Sequence, residues 1–236
     1  MSNNGLLKSS LAKKYMMALT GLFLCLFLVG HLLGNLQLFV TGPEGAENFN
    51  LYAKFMTNNP LVKVLSYLTY TCILFHVIDG FVLTLQNRRS RPVKYVVEKG
   101  SANSSWSSRN MALLGTILLV FIVTHMQNFW YVMHFGDIKI VDIDGIAIKD
   151  LHTVVMDFFN PAKNSTAAMM VGLYVFAMAA MGYHLQHGFS SAFQSVGFNH
   201  EKYSPIIKTI GTAFCVLVPL AFASIPVYLY YIQIAH

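Results

Sequence analysis

Nine histidines lie along the 236 residues. Five of them, His31, His76, His125, His184 and His187, fall well inside long apolar runs. An ionisable side chain in such a run is costly and is a functional candidate by default. A lone buried histidine most often just bonds a neighbouring helix. Four consecutive apolar runs that each carry one are a different case, because imidazole is a metal ligand as well as a proton carrier.

Position along the runs sorts the four into pairs. His31 lies 12 residues from Pro43 and His125 lies 12 from Asp137, whereas His76 lies 16 from Pro60 and His184 lies 17 from Ala167. At about 1.5 Å of rise per helical residue, the second pair sits roughly 6 Å deeper from the same face. Neighbouring runs cross in opposite directions, so His31 is expected to face His125 at one level and His76 to face His184 at another. Two imidazole pairs at two levels suit the axial ligation of two stacked b-type haems. Clearance for a flat ring between helices comes from small residues; Gly30 and Gly34 flank His31, and Gly80 and Gly188 follow His76 and His184 by four.

Local sequence agrees with the depth pairing. The run Phe75-His76-Val77-Ile78-Asp79-Gly80-Phe81 echoes Tyr183-His184-Leu185-Gln186-His187-Gly188-Phe189, while His31 and His125 are followed by amides, Asn35 and Asn128. The echo sets His187 against Asp79. These two are therefore expected beside the ligands, handling protons or satisfying each other, and His187 is left out of the ligand set.

Long helices must position these side chains. The chain is 55% hydrophobic and 11% charged, against about 25% charged residues in soluble domains. Five runs meet the roughly 20 apolar residues that a bilayer crossing needs, at about 15–40, 61–87, 110–134, 167–193 and 208–233. The expectation is an all-α, five-helix integral membrane bundle enclosing two haem b groups, one transmembrane cytochrome b domain over residues 1–236. Pro219 and Pro226 should kink the last helix, and 149–159 reads as a short amphipathic helix on the outer surface. Eleven Lys and Arg fall in the N-terminus, the 88–109 loop and 194–208, against five basic and seven acidic residues in 41–63 and 135–166. The positive-inside rule then puts the N-terminus in the cytoplasm and the C-terminus outside. It also accounts for the net charge of +6 without a nucleic acid. The apolar run after residue 14 is too long for a cleavable signal. Cys25, Cys72 and Cys215 lie in apolar segments with no C-x-x-C spacing, which excludes a covalent haem attachment of the c type.

At these residues the chain resembles a known family. Thr20-Gly21-Leu22-Phe23-Leu24 leads into Gly30-His31-Leu32-Leu33-Gly34-Asn35, and Phe75-His76, Thr124-His125 and Tyr183-His184 complete the pattern. It is similar to the dihaem cytochrome b anchor subunit of succinate:quinone oxidoreductases, the group of succinate dehydrogenase and fumarate reductase, over nearly its whole length. The resemblance implies a bacterial cytoplasmic membrane and a flavoprotein and an iron–sulfur subunit docked on the cytoplasmic face. It also implies electron transfer to or from a membrane quinone, with menaquinone expected. It pairs His76 with His184 at the proximal haem and His31 with His125 at the distal one. Some members carry an acidic residue near the quinone site, where this chain has Asn48, Phe49 and Asn50 after Glu47. Some carry a glutamate two residues before the fourth ligand, here Gly182.

The family places quinone near the distal haem on the outer side, where Asn48, Asn50, Tyr52, Lys54, Trp130 and His134 are the candidates to bond or stack. Haem propionates need donors at the membrane edges; Lys14, Arg88, Arg89, Arg109 and Ser191 are candidates on one side, and Asn35, Gln37 and Gln127 on the other. Two alternatives use the same histidines: a haem b anchor of a hydrogenase or formate dehydrogenase, and a haem-free transporter or proton channel.

Overall fold

The computed structural model describes residues 10–90 and 104–235. Lys8 and the middle of the basic 88–109 loop lie outside the described residues. The chain is 82% helical. Helix α1 (Ser10–Asn35) runs on through a 3-10 turn to Phe39. Then come α2 (Gly42–Asn58), α3 (Pro60–Arg89) and the single turn α4 (Trp106–Arg109). Helix α5 (Met111–His125) opens into a π-helical segment, Met126–Tyr131, and closes as α6 (Val132–Phe135). A hairpin of β1 (Ile140–Ile143) and β2 (Ile146–Lys149) precedes α7 (Leu151–Phe158), and α8 (Ala167–Ser195) and α9 (Ser204–Ile234) end the chain.

Five helical stretches are long and apolar enough to cross a bilayer: Leu11–Phe39, Pro60–Arg89, Met111–Phe135, Ala167–Ser195 and Ser204–Ile234. Only 6 to 33% of the most apolar window of each is buried. Leu26, Leu33 and Leu217 are among the large apolar side chains more than 60% exposed. Apolar surface on that scale is tolerated against lipid and not against water. The last helix continues through Pro219 and Pro226, as membrane helices permit.

Two segments between the long helices carry structure of their own. Helix α2 starts with Pro43 in its first turn, where a missing N–H costs nothing, and buries Gly45, Phe49, Asn50 and Ala53 along one face. The hairpin turns on Asp144-Gly145, both at positive φ (53° and 77°), the backbone of a two-residue turn that matches strand twist. Ile143 pairs Ile146 across it.

The described residues form two compact units, one of those within 1–27, 68–118 and 180–217, the other of those within 28–67, 119–179 and 218–236. The second has a core of Leu38, Phe49, Val155, Phe159, Ile225 and Leu229.

Candidate functional site

Each unit contains one of the expected histidine pairs. In the first, α3 and α8 bring His76 and His184 together with ring centroids 6.2 Å apart and planes at 62°. In the second, α1 and α5 bring His31 and His125 to 5.8 Å at 84°. Two metal–imidazole bonds of about 2.0–2.1 Å, with each centroid roughly 1.1 Å behind its nitrogen, separate the rings by roughly 6 Å. Both pairs meet that spacing. Among the described residues no three His, Cys, Asp or Glu side chains converge. A bare four-coordinate ion is therefore poorly served, while a haem needs only two axial ligands from the protein.

The surroundings differ. His76 Nδ1 lies 3.1 Å from the hydroxyl of Thr20, and His184 Nδ1 is buried without a hydrogen-bond partner among the described residues. A buried nitrogen left unbonded is rare, and it marks the two rings of this pair as unequally supported at Nδ1. The second pair sits among aromatics. Phe121 stacks on His125 at 5.6 Å, Phe129 and Tyr174 meet it edge-on, and Phe222 lies 5.7 Å from His31. The π-helical segment begins one residue after His125, a local irregularity common at functional sites.

Gly21 and Gly115, on neighbouring helices, are the glycines that clear the first pair. A Cβ at Gly21 would stand 3.3 Å from His76 Cε1, and one at Gly115 would stand 3.7 Å from His184 Cε1. The four glycines near the ligands in sequence have different surroundings. A Cβ at Gly30 or Gly188 would meet nothing, one at Gly80 would touch Met17, and one at Gly34 would strike the Tyr52 ring. Both substitutions to alanine gain about 1 kcal/mol of helix propensity. G115A should keep that gain, since 3.7 Å is ordinary contact. G21A should lose it by displacing His76, which a comparison of the two variants' melting temperatures checks.

The residues considered for proton handling face different surroundings. Asp79 has a buried Oδ2 without a hydrogen bond, with Lys13 as its nearby countercharge. His187 lines a polar cavity of about 360 Å³ with Ser105, Ser107, Ser191 and Gln194. No hydrogen bond joins Asp79 to His187 among the described residues. Ser191, a propionate candidate, is thus brought beside His187, while Arg109 bonds the Ser104 carbonyl.

Several quinone candidates have structural engagements. Asn50 is 2% exposed; its amide donates to Asp150 (2.9 Å), and its oxygen accepts from the His152 backbone N–H (2.9 Å). Lys54 donates to the Ala147 carbonyl, and His134 donates through Nδ1 to the Trp130 carbonyl while stacking on that indole at 4.5 Å. Tyr52 packs on Gly34, and Asn48 is exposed. A cleft of about 480 Å³ in this unit is lined by none of the six; His152, Thr41, Met156, Asn160, Tyr228 and Gln233 are among its walls. Its lining comes from three segments far apart in sequence, 38–42, 152–160 and 228–233, so no local motif announces it.

Five bilayer-length helices place the chain among multi-pass, mostly helical membrane proteins. No protein-family model, no curated protein and no solved structure matches the chain.

Proposed function

We propose that this chain is the dihaem cytochrome b anchor of a succinate:quinone oxidoreductase in a bacterial cytoplasmic membrane. One observation carries the reading: two histidine pairs, each from two different membrane-length helices, with ring centroids at 5.8 and 6.2 Å. His76 with His184 and His31 with His125 would each hold one haem b. Bound there, the haems supply one-electron transfer between a cytoplasmic iron–sulfur subunit, itself fed by a flavoprotein, and membrane quinone.

The chain's own residues prepare these sites. Lipid-facing helices exclude water from the imidazoles, and the aromatic shell of the second pair holds its rings in place. In the first unit, Ser191 and His187 offer hydrogen bonds to a carboxylate edge. The cleft at His152 combines apolar walls with convergent polar groups, as ligand sites do, and suits a quinone head group.

The test is a reduced-minus-oxidised spectrum of the purified chain together with the proteins that accompany it. A low-spin b-type spectrum with two haems per chain, and co-purification of a flavoprotein that oxidises succinate, are expected. A haem-free chain would overturn the reading in favour of a transporter. Two haems with a hydrogenase or formate dehydrogenase partner would keep the cytochrome and change the enzyme.

A further inference from the structure

We infer that Thr20 is the positioning residue of the His76 site, fixing that imidazole as its Nδ1–H tautomer and making it the more electron-rich ligand of its pair. The inference rests on the haem reading above. Thr20 is 6% exposed within α1. Its hydroxyl lies 2.7 Å from the Met16 carbonyl, 3.2 Å from the Met17 carbonyl and 3.1 Å from His76 Nδ1. A carbonyl can only accept, so the hydroxyl proton goes to the main chain at Met16. The oxygen then faces His76 as an acceptor, and the proton between them belongs to Nδ1. A neutral ring protonated at Nδ1 carries its lone pair on Nε2, the nitrogen left to bind iron.

Shape reinforces the bond. Gly21, the next residue, lies under the same ring, where a Cβ would stand 3.3 Å from His76 Cε1 and press it by a few tenths of an ångström. The Thr20 hydroxyl and the Met17 carbonyl thus hold the imidazole by hydrogen bonding on one side, and Gly21 bounds it by contact on the other. His184, the opposing ring, has no such partner at Nδ1. In the other unit the comparable contact, Tyr174 hydroxyl to His125 Nδ1, is 3.5 Å, beyond the usual hydrogen-bond range. The Thr20 hydroxyl thus stands closer to its ligand ring than the Tyr174 hydroxyl does to His125.

An acceptor on Nδ1–H raises the basicity of a ligating imidazole. Basic ligands favour the oxidised metal, so this haem is held toward its ferric form. Loss of one such bond should shift the reduced-to-oxidised ratio at a fixed potential by about three- to tenfold, tenfold being about 59 mV for a one-electron couple.

The experiment is a potentiometric titration of the intact complex carrying T20V or T20S, the His76 haem being identified as the one missing from H76A. The expected result is a three- to tenfold shift toward the reduced form at the His76 haem in T20V, with the other haem unmoved and T20S like the parent. An unmoved His76 haem in T20V, or an equal shift at both haems, overturns the role. If T20V holds no haem at this site, T20S decides. Full occupancy at the parental potential then supports the hydroxyl, and a missing haem or altered potential overturns it. A parent protein without haem fails the functional reading itself, and this inference with it.

Discussion

Alanine at His76 is expected to remove one haem from the chain and leave the other with its spectrum unchanged. The haem-to-protein ratio of the purified chain should fall from two to one. A bis-histidine site that keeps one imidazole loses half its protein ligands, and the remaining ring, His184, has no protein hydrogen bond at its buried Nδ1 to hold it in place. The same haem should vanish in H184A, and the other in H31A or H125A, because the two pairs lie in different compact units. H187A should keep both. If the rings were only an edge-to-face pair, H76A would cost about 0.5–1.5 kcal/mol of packing and change no absorption band. A ratio unchanged in H76A, or both haems lost together, would sink the pairwise assignment.

The histidine pairing was legible in the sequence because two physical rules act on it without tertiary knowledge. An imidazole in an apolar run is expensive enough to stand out, and the helical rise converts residue count into depth. The five spans were legible for the same reason, and their ends agree with the structure to within a few residues. What lay beyond reach depends on contacts between distant segments. Asn50 looked like a free amide near a ligand site, yet it is joined to Asp150 and His152, 100 and 102 residues away. Gly21 and Gly115 serve rings on other helices, which spacing along one helix cannot reveal. Helix α2 lies between Gly42-Pro43 and Asn59-Pro60, dipeptides that can end one helix as readily as a proline in the first turn begins the next. The Asp144-Gly145 turn was a readable hairpin signal that went unused, whereas nothing in Met126–Tyr131, which lacks Gly and Pro, marks a π-helical segment.

Asp150 should be the most costly single polar residue of the second unit to remove. It caps α7, accepting from the Thr153 N–H (3.1 Å) and hydroxyl (2.7 Å), and it receives the Asn50 amide at 2.9 Å. Both Asp150 and Asn50 are under 10% exposed. D150A removes the cap and leaves the Asn50 amide buried without an acceptor, together about 2–4 kcal/mol. D150N should lose less, since it keeps an acceptor for the helix. Acid should act in the same direction. Burial pushes the Asp150 carboxyl up, but the bonds from Thr153 and Asn50 outweigh it and hold it below its ordinary value. Its stabilisation is fully present above the unfolded value and is lost as pH falls through the folded one. Burial also lowers His152, against a smaller opposing pull from Asp150. Its neutral form therefore adds stability that is present above about 6.5 and is lost as pH falls below it. Thermal unfolding of parent, D150N and D150A at pH 7, pH 4 and pH 2 separates the two contributions, since the His152 part is lost first, below about 6.5, and the Asp150 part only below the ordinary carboxylate value. D150N should retain the His152 part of the acid loss and shed the Asp150 part. A D150A protein as stable as its parent at pH 7 would mean that α2 and α7 are held by the apolar contacts of Phe49 and Val155 alone.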